Sequence, residues 1–416
     1  MHRMNRMASM LNMHRTNRLT YYKGVVALMY QVKILNSIRS AALETLDSAK
    51  YNVSDEIENP DAIIVRSANL LDTNFNPELL CIARAGAGVN NIPIERCAEE
   101  GIVVFNTPGA NAEAVKELVL CAMLLSSRDV LGGIDWVKSL AGQGDEIPDL
   151  VEKGKSGFIG PEILGKTLGV IGLGAVGAKI AQAASALGMR VYGYDPYISV
   201  AAAWQLSSDI IHADDLDTIF QNSDYITIHV PYNDSTHHFI CQEGIAKMKQ
   251  GVRVINLARA ELVCDDDMLA ALDTGHVSHY VTDFPNAKTA GMPGVIAIPH
   301  LGASTPESEE NCVNMACREI IEYIENGNIH NSVNMANTIM PRNGDPRICV
   351  IHENVPEMIA KITSAVSSYG VNIENMINTG TRGRQAYTML DVSSLPEGIE
   401  EVISKIGNVI RVRTIL

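Results

Sequence analysis

Short strand-like runs recur through most of this chain, and each is followed by a polar or glycine-bearing turn. They are Ala62–Val65, Leu80–Ala83, Ile102–Phe105, Leu168–Ile171, Arg190–Tyr194, Tyr225–Val230, Val252–Asn256, Val277–Thr282 and Val295–Ile298. Largely unbroken apolar runs, rather than apolar–polar alternation, predict strands buried on both faces, as in parallel sheets covered by helices. Helices are predicted over the largely apolar stretch Ala112–Ser127, expected to cross between domains, over the Ala-rich Ala178–Leu187, and over the amphipathic Pro306–Asn326. An Asn- and Met-rich segment with Pro341 and Gly344 predicts a linker at 331–345. Beyond it the pattern changes. Arg347–Ile351 reads as a strand, Pro356–Tyr369 as a helix opened by Pro and ended by Gly370. Val371–Thr379 and Gln385–Val392 read as strands, Pro396–Ile406 as a helix and Val409–Ile415 as a strand. That βαββαβ order is ferredoxin-like. The expected class is α/β. A Rossmann-type domain covers 112–305, a smaller flavodoxin-like α/β domain covers 29–111 and 306–330, and the βαββαβ module covers 346–416.

Residues 1–28 stand apart. They carry Arg3, Arg6, Arg15, Arg18 and Lys23, and no acid occurs before Glu44. A basic, acid-free stretch reads either as a targeting leader or as sequence ahead of a start at Met29; in both cases it is expected to be disordered or outside the fold. The chain taken whole fits a soluble, cytoplasmic protein. Of its residues 46% are apolar, the net charge of −15 argues against a nucleic-acid partner, and no apolar run reaches the ~20 residues of a membrane span. Eight scattered cysteines without a CxxC pair predict reduced thiols, with neither disulfides nor a metal site.

The most informative stretch is Lys166–Asp195. A strand-like run leads into Gly172-Leu173-Gly174-Ala175-Val176-Gly177, an Ala-rich helix follows, and a second strand ends in Asp195, 18 positions past Gly177. The first glycine allows a tight turn, the second lets backbone approach a pyrophosphate, and the third lets helix and strand pack closely. Phosphates sit on the free N–H groups of such a helix start, and an acid at the end of the second strand bonds the ribose hydroxyls. With Pro196-Tyr197 following and no arginine nearby, NAD is expected rather than NADP.

In the smaller domain the turns after strand-like runs hold Arg66-Ser67, Arg84-Ala85-Gly86-Ala87-Gly88 and Asn106 to Asn111. Ligands of open α/β sheets collect at strand carboxyl ends, and arginine forks suit phosphate or carboxylate. A small anionic ligand is therefore expected. In the larger domain Arg259 follows Val252–Asn256, and His300 follows Val295–Ile298. His300 reads either as a general base, a role the histidine side chain commonly fills, or as a hydrogen-bonded structural histidine.

Several pieces in order resemble the D-isomer-specific 2-hydroxyacid dehydrogenases: GLGAVG with Asp195, HVP at 229–231, NLAR at 256–259 and IPHLGAST at 298–305. The resemblance spans about Met29 to Gly327. It implies that Arg259 binds the substrate carboxylate and keto oxygen, that His300 is the acid/base, and that Asp283 contacts the nicotinamide amide. It extends the cofactor set to Gly172, Gly174, Ala175, Val176, Gly177, Asp195, His229, Val230, Pro231, Thr236, Leu257, Ala258, Gly302 and Ala303. VRS at 65–67, ARAGAGVNNI at 83–92 and NTPGANAEAVKE at 106–117 are similar to members that act on a phosphorylated 2-hydroxy acid. On that likeness Arg66 and Arg84, with Ser67, hold phosphate. The backbone of Gly86, Ala87, Gly88 and Val89 meets the carboxylate, and Asn106 and Asn111 line the site. The C-terminal module resembles an ACT domain, which implies regulation, a homodimer or homotetramer, and an amino-acid effector such as serine near His352, Asn354 and Asn372.

Four departures alter these expectations. Members usually carry a glutamate after the aspartate of this motif, paired with the histidine; an ungapped count puts Lys288 there, and a lysine lowers a histidine pKa. Either the loop is rearranged, or His300 works without a carboxylate partner, or Lys288 takes part in the proton chemistry. Ala260 and Asn90 replace the usual glycine and aspartate. Glu357 replaces a glycine in the C-terminal module and could close the effector pocket. The function expected is NAD-dependent oxidation of a phosphorylated 2-hydroxy acid. Its rivals are glyoxylate or hydroxypyruvate reduction on the same fold, and a non-enzymatic NADH sensor.

Overall fold

The computed structural model describes residues 19–22, 25–36, 38, 41–381 and 383–416, with side-chain surroundings from Met29 onward. It has two compact units, Met1–Ala110 with Glu309–Leu416, and Asn111–Ser308. The described residues form four sheets.

In the first unit β1 (Leu19–Tyr22) and β2 (Val25–Leu28) make an antiparallel ribbon paired with no other sheet. Part of the expected leader thus has strand structure; residues 1–18 lie outside the described residues. Five parallel strands follow: β3 (Tyr30–Ile34), β4 (Tyr51–Ser54), β5 (Ala62–Val65), β6 (Cys81–Arg84) and β7 (Val103–Asn106). Their order, β4-β3-β5-β6-β7, reverses direction after β3, as in flavodoxin-type sheets. Ala62–Val65 is buried along its whole length, which explains why its run is continuous rather than alternating.

The second unit holds seven parallel strands: β8 (Thr167–Ile171), β9 (Arg190–Tyr194), β10 (Ile210–His212), β11 (Tyr225–Ile228), β12 (Val252–Asn256), β13 (Val277–Thr282) and β14 (Val295–Ala297). Their order is β10-β9-β8-β11-β12-β13-β14. The chain therefore runs outward in both directions from β8, and the switch between β8 and β11 opens a crevice at the strand carboxyl ends. The helix Ala112–Ser127 buries Val115, Val119, Ala122 and Met123 against one face of this sheet.

The C-terminal strands β15 (Arg347–Glu353), β16 (Ile373–Gly380), β17 (Gln385–Val392) and β18 (Val409–Ile415) form an antiparallel sheet of order β16-β17-β15-β18. With the helices Met358–Ser367 and Ile399–Ser404 they give the expected βαββαβ order. Those helices cover one face through Met358, Ile362, Val366, Ile399 and Ile403. The other face is not free. Cys349, Ile351, Tyr387, Met389 and Ile415 share one core with Ile320, Tyr323 and Ile324 of the helix Pro306–Asn326 and with Val32, Ile64 and Phe105 of the five-stranded sheet. Each large apolar side chain fully buried there contributes about 2 kcal/mol relative to exposure.

The segment 331–345, expected to be a linker, is built into this unit. Ser332 bridges to Phe105 and Ile329 to Thr338. Asn334 Oδ1 accepts the Val104 N–H at 2.9 Å, while its Nδ2 donates to the Ile102 carbonyl at 2.8 Å. One side-chain amide thereby satisfies the backbone of edge strand β7, where a polar composition had suggested free chain.

Glu319 of the long helix is 4% exposed. Asn331 Nδ2 donates to its Oε1 at 2.9 Å, and its Oε2 has no partner. Burial pushes its carboxyl up to about 8, the Asn331 bond opposing. The folded state then holds a proton there that the unfolded chain has lost, so stability falls as pH rises from about 4.5 to 8. Glu319→Gln is expected to flatten this loss: its melting temperature, followed from pH 5 to 9, should decline less than that of the unaltered protein. Parallel declines in the two would show that Glu319 is charged throughout.

Candidate functional site

In the first unit four neighbouring strands deliver polar residues to one edge. Register places Arg84 opposite both Val65 and Asn106, so Arg66, Arg84 and Asn106 leave β5, β6 and β7 side by side. The Arg66 loop is set by Asn36, just past β3. Asn36 Oδ1 accepts the N–H groups of Arg66, Ser67 and Ala68 at 3.2, 3.0 and 3.0 Å. Asn36 itself sits at φ 73°, a conformation asparagine tolerates better than most residues. The glycine loop is set by its own contacts. Gly86 stands at φ 152°, and a Cβ there would meet the Arg84 guanidinium at 2.1 Å; the arginine folds over space only a glycine leaves. Asn106 Nδ2 donates to the Ala87 carbonyl at 2.6 Å, and Thr107 N–H to that of Gly86 at 3.1 Å. Ser67 and Ala87 are exposed, and Gly88 and Val89 are half-buried. The Arg66 guanidinium meets Glu309 Oε1 at 2.5 Å.

In the second unit the turn after β8 has the form the sequence predicts. Gly172 lies at φ 90°, and a Cβ on it would come 2.6 Å from the His229 carbonyl. A Cβ on Gly177 would lie 1.9 Å from the Gly172 carbonyl, whereas Gly174 faces open space. The helix starts at Ala175, with Gly174 and Ala175 exposed, so its free N–H groups can receive an anion. Asp195 ties this turn to the end of β9. Its Oδ2 accepts the Leu173 N–H and its Oδ1 the Tyr197 N–H, both at 2.9 Å. His229 bonds Thr227 Oγ1 through Nε2 at 2.8 Å, and burial pushes its imidazole down to about 3, so it is neutral. Thr236 closes the following loop by donating to the Pro231 carbonyl at 2.8 Å.

At the ends of β12 and β13 the remaining candidates gather. Fully buried Asn256 accepts the Ala258 N–H at 3.2 Å and donates to the Arg259 carbonyl at 2.8 Å. It thus fixes the turn that holds Leu257 buried and Arg259 exposed. Asp283 is 1% exposed, and burial raises its carboxyl pKa, opposed by the Gly302 N–H and by His300. Its Oδ2 accepts that N–H at 3.1 Å, while its Oδ1 is buried without a partner. The Asp283 carbonyl accepts the His300 N–H at 3.0 Å. His300 takes φ 45°, is exposed, and rests its ring 4.6 Å from that of Phe284.

Other candidates are placed differently. Lys288 Nζ lies 2.6 Å from Asp266 Oδ1, both exposed, and that carboxylate raises its pKa. Among the described residues no ion pair or hydrogen bond joins Lys288 to His300. A run of three aspartates opens the helix Asp265–Asp273, and that charge attracts the lysine. Asn111 caps the helix Ala112–Ser127 without a side-chain bond. His352 is 1% exposed with both ring nitrogens used, Nδ1 toward the Glu353 carbonyl at 2.7 Å and Nε2 toward Thr388 Oγ1 at 2.9 Å; this is a core histidine. Asn354 is half-buried, and exposed Asn372 donates to Glu374 Oε1 at 2.8 Å. Glu357 occupies φ 71°, a conformation that favours the glycine it replaces. Sequence reasoning missed Asn36, Asn256 and Glu309. An asparagine at a strand end is a known turn signal and could have pointed to Asn256, whose bonds stay within its own turn; Asn36 and Glu309 act on residues distant in sequence, which no local pattern encodes.

Residues 121–302 match the family model described as D-isomer specific 2-hydroxyacid dehydrogenase, NAD binding domain. A hydroxypyruvate reductase of Thermotoga maritima is 37% identical over 266 residues, 61% of this chain and 81% of that protein. This chain belongs to the D-isomer-specific 2-hydroxyacid dehydrogenases. A D-3-phosphoglycerate dehydrogenase of Methanocaldococcus jannaschii is 31% identical over 363 residues, 85% of this chain and 66% of that one. One of Bacillus subtilis is 31% identical over 307 residues, 72% of this chain and 56% of its own. The chain thus spans between half and two thirds of these two relatives. The NAD+-bound 3-phosphoglycerate dehydrogenase of Entamoeba histolytica superposes with a TM-score of 0.57 at 25% identity, covering 74% of this chain and 99% of that one.

NAD is the cofactor of this family's binding domain, and the residues present fit it: an open glycine turn at a helix start, an acid at the end of β9, and a buried carboxylate oxygen lacking a donor. Asp195→Ala removes two charged-acceptor bonds from the turn, each worth ~1.5–3 kcal/mol. It is expected to weaken NADH binding by at least about tenfold, read by nicotinamide fluorescence titration. Undiminished affinity would take Asp195 out of the cofactor site.

Proposed function

We propose that this dehydrogenase oxidises 3-phospho-D-glycerate to 3-phosphohydroxypyruvate with NAD, the first step of L-serine synthesis. The observation that carries this reading is the pair Arg66 and Arg84, leaving adjacent strands beside the Gly86 loop. A phosphomonoester holds about −1.5 to −2 charge near neutral pH, and two arginine forks are a fitting receptor for it. In this reading Arg66, Ser67 and Arg84 take the phosphate. Arg259, held by Asn256, takes the carboxylate and polarises the carbonyl. His300 accepts the hydroxyl proton. NAD, when bound, would supply the hydride acceptor, and Asp283, whose Oδ1 is buried without a partner, would hold its amide. Lys288, paired with Asp266, is left out of the proton transfer. The βαββαβ module serves as an ACT-type regulatory domain with a small amino-acid effector near Asn354 and Asn372, and the protein works as a homo-oligomer.

Reduction of unphosphorylated hydroxypyruvate is the second reading, favoured by the likeness to the Thermotoga maritima reductase. NADH oxidation with 3-phosphohydroxypyruvate or hydroxypyruvate separates the two. Marked preference for the phosphorylated acid is expected, and Arg84→Ala should raise KM for that acid far more than for hydroxypyruvate; equal effects would move the assignment to the second reading. Arg259→Ala should abolish turnover and leave NADH binding intact, checked by fluorescence titration beside the assay. Loss of binding in that variant would make Arg259 a structural residue.

A further inference from the structure

Arg66 is not open in this structure. Its guanidinium is paired with Glu309, in the first turn of the helix Pro306–Asn326 and nine positions beyond His300. Side-chain exposures are 41% and 50%, so as a structural pair it contributes little to stability. An acid near a helix start is favoured by the dipole, but that alone would not select the arginine just past β5 as partner. The backbone of Arg66 is already fixed by three N–H groups on Asn36 Oδ1. Glu309 therefore settles only where the guanidinium points and how much free charge it shows.

We propose that Glu309 is the resident counter-ion of Arg66, displaced by the substrate phosphate and so setting the affinity for phosphorylated substrates. This rests on the phosphate-clamp reading above. With the site empty, the carboxylate neutralises Arg66. An incoming phosphate must break that pair and then faces the carboxylate as a like charge. A 2-oxo acid without a charged tail does neither. Glu309 thus weakens the tail interaction selectively and keeps the phosphorylated acid from binding too tightly to leave. The effect is electrostatic, so the isosteric amide should relieve it while keeping the side chain's shape and hydrogen bonding.

The test uses Glu309→Gln in the full chain with NADH, 3-phosphohydroxypyruvate and hydroxypyruvate, beside Arg66→Ala. The ratio of KM for hydroxypyruvate to KM for the phosphorylated acid is expected to rise about threefold in Glu309→Gln, the scale of an exposed ion pair, and to fall in Arg66→Ala. Inorganic phosphate supplies a readout apart from turnover: it should raise the melting temperature of Glu309→Gln at lower concentrations than that of the unaltered protein. An unchanged or lowered ratio in Glu309→Gln, with Arg66→Ala still costly for the phosphorylated acid alone, would overturn the counter-ion role and leave the clamp standing. Equal KM values for both acids in the unaltered protein, with Arg66→Ala neutral, would overturn the clamp and this inference together.

Discussion

A helix ends with carbonyls that have no partner within it, and the first unit is organised around how one such end is satisfied. At the close of Pro306–Asn326 the partners come from the C-terminal sheet. Arg413 donates to the Tyr323 and Ile324 carbonyls, Arg347 to that of Asn326 at 2.6 Å, and Tyr387 to that of Gly327 at 2.8 Å. Two cations at a helix carboxyl end also suit its dipole. Arg413 lies 4.1 Å over the Tyr323 ring. Arg347 is fully buried and holds Asp391 through bonds of 2.7 and 3.1 Å. Stranding one member of such a buried pair costs about 3–5 kcal/mol. The sheet is therefore fastened to the helix by groups that cannot be separated cheaply, and the apolar seam of Tyr323, Ile351 and Met389 closes around them. The same helix presents Glu309 to Arg66 at its other end, so what holds the C-terminal sheet also fixes the reach of that carboxylate.

Away from this clamp, asparagine side chains do the positioning. Asn36 gathers three N–H groups of the Arg66 loop, Asn256 braces both sides of the Arg259 turn, and Asn334 completes the edge of β7. In each case an amide replaces a backbone partner where a strand or sheet edge runs out. An aspartate could accept as Asn36 does, but it could not donate as Asn256 and Asn334 must. The loops carrying the two exposed arginines thus gain rigidity without a helix or strand of their own, and an arginine on a fixed backbone loses less freedom when it meets an anion.

This division explains what could be read in advance. Apolar runs marked β5 to β9 and β11 to β14 to within a residue or two, because burial on both faces leaves little room for another composition; β3, β4 and β10, only partly buried, carry no such run. The glycine turn was legible since Gly172 and Gly177 each answer a separate steric demand, the Gly177 contact with the Gly172 carbonyl being the more severe. The fused core was not legible. Residues 331–345 have a linker's composition, and only folding shows that Asn334 and Ser332 meet β7. Lys288 was read by counting along the chain, which sees the offset from Asp283 but not the three aspartates that claim the lysine. His352, expected near an effector, is buried because Thr388 and the Glu353 carbonyl take its ring nitrogens, partners that only strand pairing brings to it.

Glu357 and His300 both hold left-handed backbone conformations, and their surroundings differ. Glu357 gains only an exposed pair with Lys361 at 3.1 Å, and nothing in the structure offsets its strain, of order 1 kcal/mol. His300 is held from two sides, its N–H directed at the Asp283 and Ile298 carbonyls, each at 3.0 Å. Strained conformations persist where their surroundings over-determine them, and they concentrate at functional sites. Asp283 is the organiser here. Its carbonyl anchors the histidine and one carboxylate oxygen anchors Gly302 two residues on, while the other oxygen stays buried and open. A carboxylate is costly to bury with half its capacity unused. Beside a strained, exposed histidine, that open oxygen is the feature on which the proposed contact with the cofactor amide rests.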